Sequence, residues 1–248
     1  MGAQWERRRR AIIRDALGIG IAVGAYGITF GALATTGGFS VPQTMALSSL
    51  MFTGGSQFAY IGVVAAGGSV IAAAVTALLL GARNTLYGVA MAPLLKTRGA
   101  SSALAAQLTI DESTAMALAH EDPDEPRAAR TAFWATGVTV FICWNIATLL
   151  GALGASALGD PRSYGLDAVI PAAFLALMWP RLTSRSAIAV AVLAAAMATL
   201  LTVWLPAGLP VLAGGLVAVL WGWLSPGGGT PPSGDFDFAP LPDLEPPR

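Results

Sequence analysis

The sequence predicts an all-α polytopic integral membrane protein of about six to seven hydrophobic helices, interrupted or re-entrant near Gly54-Gly55. Three observations predict it. Of 248 residues, 11% are charged and 55% are hydrophobic, where a soluble domain carries roughly 25% charge. Mean hydropathy is +0.65. The charges also leave long gaps: 67 residues separate Asp15 from Arg83, 49 separate Arg185 from Asp235, and Thr131–Gly159 adds 29 more. Roughly 20 apolar helical residues cross a hydrocarbon core of about 30 Å, so these gaps hold several crossings. A net charge of zero removes the electrostatic basis for a nucleic-acid partner.

Residues 1–13 form a basic N-terminus. Arg7-Arg8-Arg9-Arg10 before an apolar run resembles a signal-peptide start, but the run continues far past an ordinary signal core, so it reads as a retained first span. A twin-arginine export signal fits poorly, because nothing soluble follows. The transmembrane part covers 14–224, with candidate spans at 14–36, 43–66, 70–94, 131–157, 166–180, 186–205 and 209–224. Segment 101–119 is ambiguous, being moderately apolar yet carrying Asp111 and Glu112. Residues 225–248 are rich in Pro and Gly, acidic, and unable to bury a core, which predicts a disordered tail. The arginines at 7–10 and 14 place the N-terminus in the cytoplasm. Lys96 and Arg98 face outside if 43–66 and 101–119 both span. Both cations are cytoplasmic if 43–66 is a re-entrant hairpin and 101–119 lies inside, and the positive-inside rule favours that version.

Within the first span, Gly20, Gly24, Gly27 and Gly31 share one helix face, a surface for close backbone packing. Thr53-Gly54-Gly55-Ser56-Gln57 breaks the second. Paired glycines weaken a helix by about 1 kcal/mol each against Ala, and Ser56 and Gln57 can hydrogen-bond the backbone so released. Non-helical backbone at membrane depth is tolerated where protein buries it or where it lines a cavity, and broken helices of this kind form transporter substrate sites. A simple close helix contact through small residues is the other reading.

Arg83 lies far from either end of the third apolar run, where a charge costs several kcal/mol unless paired or hydrated. It is either a forked cation for a substrate carboxylate or a structural partner of Asp111, Glu112 or Asp167, or it snorkels. Asn84 is adjacent, and Tyr87 shares its helix face. Asp111-Glu112-Ser113 is a candidate proton carrier if buried, because desolvation raises a carboxyl pKa; at a cytoplasmic surface it is merely solvated. Asp167 opens the fifth span, where a first-turn acid suits the helix dipole. Pro171 and Pro180 bracket a short segment that suggests a second interrupted helix. His120 is the one histidine and Cys143 the one cysteine. They form no metal motif, no catalytic cluster is present, and no P-loop is present, so neither an enzyme nor an ATPase is expected.

Taken together, Gly54-Gly55-Ser56-Gln57-Phe58, Arg83…Leu86-Tyr87, Asp111-Glu112-Ser113 and Gly165-Leu166-Asp167…Ile170-Pro171-Ala172…Phe174-Leu175 resemble the AzlC-type family of branched-chain amino acid permeases, over roughly residues 10–225. The family usually has Asn-x-Arg-His around its arginine; Gly81 and Asn84 stand in those two places here. The resemblance implies the large subunit of a secondary exporter of aliphatic amino acids in the bacterial inner membrane, without cofactor or ATPase. It also implies a separate small AzlD-type membrane subunit as partner. On that reading the carboxylate is held by backbone near Gly54, Gly55, Ser56 and Gln57 and by Arg83, with Asn84 and Tyr87 nearby. Asp111, Glu112 or Asp167 holds the ammonium group and couples export to protons.

Overall fold

The computed structural model describes residues 2–157, 175, 178, 179, 182–205 and 209–224. Among them every regular element is helical: α1 Gly2–Thr36, α2 Val41–Leu50, α3 Gly55–Ala65, α4 Val70–Leu95, α5 Ala100–Gln107, α6 Asp111–Ala119, α7 Pro126–Ala157, α8 Arg185–Leu201 and α9 Leu209–Leu224. Helices α1, α4 and α7 are long and apolar enough to cross a membrane. The expected span at 166–180, with Asp167, and the expected tail at 225–248 lie outside the described residues, apart from Leu175, Met178 and Trp179.

The glycine stripe of α1 packs on α7. A Cβ built on Gly24 would stand 2.5 Å from Cys143 Cβ, and one on Gly27 would stand 2.6 Å from the Trp144 carbonyl oxygen. Gly20 meets Thr139, and Gly31 meets Thr148 and Ala152. Partner numbers rise together, so α1 and α7 run parallel with backbones in contact, as small residues permit. The chain therefore returns once between them, along α4: Leu94 near the end of α4 accepts a hydrogen bond from Arg130 Nε, at the start of α7, at 2.9 Å.

Segment 43–66 does not cross. After α1, Ser40 caps α2 in a reciprocal box with Gln43, with Pro42 in the first turn. Helix α2 then descends toward the middle of α7. Ser48 Oγ lies 3.2 Å from Thr148 Oγ1, and the Phe52 ring packs edge-on against Phe141 at 5.0 Å. The chain turns at Gly54, whose φ of 62° suits glycine, and α3 climbs back. Tyr60 packs on Phe39 at 6.0 Å, and a Cβ on Gly37 would meet Ala65 Cβ at 3.2 Å. Both arms thus open at the end of the bundle where α1 finishes.

Segment 101–119 is neither a crossing nor a surface helix. It enters from the opposite end, beside the N-terminus. Helix α5 rises until Gln107 Nε2 donates to the Ser49 carbonyl at 2.7 Å, bonding one hairpin tip to the other. The turn at Leu108–Ile110 nestles against Gly137. Helix α6 then returns, packing Met116 with Ile12, Ala128 and Ala132. At its exit Arg8 holds Asp122 at 2.8 Å. That hydrogen-bonded guanidinium keeps the Asp122 carboxyl below the usual carboxylate range. Lys96 and Arg98 consequently lie at the same end as the N-terminal arginines, as the re-entrant alternative expects.

The shared core is the junction of α1, α3, α4, α7 and the second hairpin, with Phe30, Leu33, Ile61, Met91 and Phe133 almost fully buried. Outward faces are apolar, including Leu78, Leu79, Leu86 and Val89 on α4 and Val219 and Trp223 on α9. Such faces suit contact with lipid.

Candidate functional site

Two opposed hairpins whose tips stop halfway leave polar backbone at the centre of an apolar bundle, where every unsatisfied group costs several kcal/mol. Side chains satisfy it. Gln57 is fully buried, and its Nε2 donates to the carbonyls of Leu47 (3.0 Å), which also accepts from the Met51 amide, and Ser48 (3.1 Å) in the last turn of α2. Asn84 Nδ2 donates to Thr109 O at 3.1 Å in the second turn. Ser113 Oγ accepts from the Ile110 amide and donates to the Leu108 carbonyl, tying off the start of α6. Replacing Gln57 by Leu strands the buried Ser48 carbonyl and removes a second bond from Leu47, which keeps the Met51 amide; the expected loss is about 1–3 kcal/mol of stability. A lowered unfolding midpoint of the solubilised protein checks this; an unchanged midpoint rejects the capping role.

Between the tips lies a cavity of about 500 Å³. Its polar wall holds Thr53, Gly54 and Gly55 from the first hairpin, Arg83 from α4, and Asp111 and Glu112 from the second. Its apolar wall holds Val23, Phe52, Phe58, Leu80, Ile110, Val140, Trp144 and Met178, with Tyr26 at one side.

Arg83 Nη1 donates to Asp111 Oδ2 at 2.7 Å, with each side chain about one-third exposed (32% and 34%). Asp111, one of the three acids the sequence offered as partner, thus pairs with Arg83. Asp111 and Glu112 open α6, where the positive end of the helix dipole favours carboxylates. The other guanidinium arm approaches the opposite hairpin: a Cβ on Gly55 would lie 3.9 Å from Arg83 Nη2. Helix α3 begins there with no side-chain cap. One cation therefore stands between two helix N-termini, and only one of them carries acids.

The structure brings together Gly54, Gly55, Arg83, Asp111 and Glu112. Ser56, Gln57, Asn84 and Tyr87 are absent from the cavity lining. Ser56 is buried and its Oγ lies 3.2 Å from where a Cβ on Gly81 would stand, so Gly81 lets α3 close on α4. Gln57 and Asn84 serve the backbone turns, and Tyr87 is half-buried one turn further along α4. Asp167 lies outside the described residues. Sequence reasoning missed the aromatic wall. The one signal for it was Phe58, placed one turn after the Gly54-Gly55 break.

The model of the family described as AzlC protein matches residues 18–158, which contain both hairpins and every cavity-lining residue except Met178. The chain is 28% identical over 184 residues to the Inner membrane protein YgaZ of Escherichia coli (strain K12), an alignment covering 71% of this chain and 74% of that protein. No solved structure matches. A family match over more than half of the chain, on the segment that builds the cavity, makes this protein a member of the AzlC family.

Proposed function

We propose that this protein is the large subunit of a proton-linked exporter of aliphatic amino acids, working across the inner membrane with its N-terminus in the cytoplasm and a small AzlD-type subunit as partner. The observation that carries the reading is the placement of Arg83 beside the uncapped start of α3. A guanidinium and the positive end of a helix dipole repel each other unless an anion lies between them. A substrate carboxylate is such an anion, held by first-turn amides near Gly54-Gly55 and by the arginine fork. Glu112 and Asp111, across the cavity, suit the ammonium group, and the apolar wall suits an aliphatic side chain. The cavity lies at mid-depth between two hairpins that enter from opposite ends, the arrangement alternating access uses. The Arg83–Asp111 pair supplies a coupling element: a proton on Asp111 weakens the ion pair and frees Arg83 for substrate. The arginines at 7–10 support the cytoplasmic N-terminus.

The test is a dipeptide load. Cells lacking this chain, fed valine- or leucine-containing dipeptides, accumulate the free amino acid several-fold above cells that carry it. Adding a protonophore to the complemented cells removes that difference. Equal accumulation with and without the chain refutes export. Export that survives collapse of the proton gradient refutes the coupling.

A further inference from the structure

The cavity is much larger than a single aliphatic amino acid, so its total volume cannot choose among substrates. Selection has to come from a stretch of wall that does not yield. Part of the apolar wall is soft: Leu80 is 47% exposed, Met178 42% and Tyr26 56%. The buried remainder is stiffer, and one cluster of it is interlocked. Phe58 on α3 and Trp144 on α7 are 2% and 4% exposed. Their rings meet edge-on at 6.3 Å, and Phe30, fully buried behind them, packs edge-on against Phe58 at 5.5 Å and stacks on Trp144 at 6.0 Å. Three interlocked rings from three helices cannot move aside without opening the core, whereas single exposed side chains can change rotamer.

The position of this wedge matters as much as its stiffness. The Phe58 amide bonds the Gly54 carbonyl at 3.4 Å, so the ring stands one helical turn from the glycines. A ligand whose carboxylate docks at the first turn of α3 projects its Cα substituent along α3 toward Phe58. Val140, 1% exposed and one turn before Trp144 on α7, closes the same corner.

We propose that Phe58 and Trp144 are the specificity-determining residues of this site. Their rings form a fixed stop that admits short branched side chains such as those of valine and leucine and excludes aromatic ones. This rests on the transport reading above. In a hydrophobic pocket a difference of one methylene changes selection by about 10- to 200-fold, so moving the stop by part of a ring is enough to reverse a preference.

The experiment is uptake of labelled leucine by everted membrane vesicles containing the full chain and its small subunit, with unlabelled valine, leucine and phenylalanine as competitors. In wild type, phenylalanine competes at least about tenfold more weakly than leucine. In Phe58→Leu and Trp144→Leu that ratio shrinks by about tenfold, because phenylalanine gains. Val140→Leu, which narrows the same corner without removing a ring, shifts the preference from leucine toward valine. A wild-type competition ratio in all three variants overturns the proposal, even if overall uptake falls, because a merely structural role lowers all substrates together. Wild-type vesicles that take up no leucine overturn the transport reading itself. That outcome differs from uptake with unchanged selectivity.

Discussion

An Arg83→Ala chain, present in the membrane at wild-type level, exports labelled valine, leucine and methionine about 100-fold more slowly than wild type. Two losses combine. The substrate carboxylate loses a charge-assisted fork, each such hydrogen bond being worth about 1.5–3 kcal/mol. Asp111 loses the cation that stands 2.7 Å away, so the proposed coupling pair is broken as well. The pair is about one-third exposed, so the structural penalty stays well below that of breaking a fully buried ion pair, and the chain folds. Arg83→Lys retains the charge but not the fork, and about a tenth of the wild-type rate is expected. Efflux is read in dipeptide-loaded cells against membrane abundance by immunoblot. An alanine variant that exports at the wild-type rate removes Arg83 from the mechanism.

How much of this site could be read in advance differs residue by residue. Arg83 was legible because charge is so scarce: a lone cation deep in an apolar run has few inexpensive locations. Its partner was not, because the sequence offers Asp111, Glu112 and Asp167 without saying which the fold brings near. The break at Gly54 was visible in paired glycines, and Gln57 was visible as a residue able to satisfy released backbone. Its actual acceptors, Leu47 and Ser48, depend on α2 folding back beside α3. The break at Leu108–Ile110 had no such mark. No glycine or proline lies there, and the turn is held by tertiary partners, Asn84 from α4 and Ser113 from the next helix. The trace it left was Asp111-Glu112, acids of the kind that favour a helix start. Without that turn, 101–119 could be placed only inside or across the membrane, and the inverted pairing of the two hairpins stayed hidden. Trp144 was illegible for a simpler reason: an aromatic in an apolar helix looks the same whether it faces lipid, core or cavity, and Phe58 was marked only by its place one turn after the Gly54-Gly55 break.

The largest structural effect is expected at the α1–α7 seam. In lipid no hydrophobic force drives these helices together, so their association rests on close van der Waals contact and on backbones near enough to exploit it. A Cβ on Gly31 would collide with the carbonyl oxygen of Thr148, and one on Gly151 would collide with that of Ile28. Both obstacles are backbone in the middle of long helices, and neither can rotate away. Gly31→Ala therefore separates α1 from α7, and Gly31→Leu separates them further, at an expected cost of about 3 kcal/mol or more. Because Phe30 and Trp144 lie on this seam and stack at 6.0 Å, separation also loosens the aromatic wedge, and folding and transport fall together. Gly154 sits close by on α7 with nothing within 4 Å of a built Cβ, so Gly154→Ala leaves both unchanged or slightly improved, since alanine is the better helix former. The contrast is measured as the unfolding midpoint and the yield of monodisperse protein after solubilisation. Equal behaviour of the two alanine variants means that the seam is not held by backbone contact.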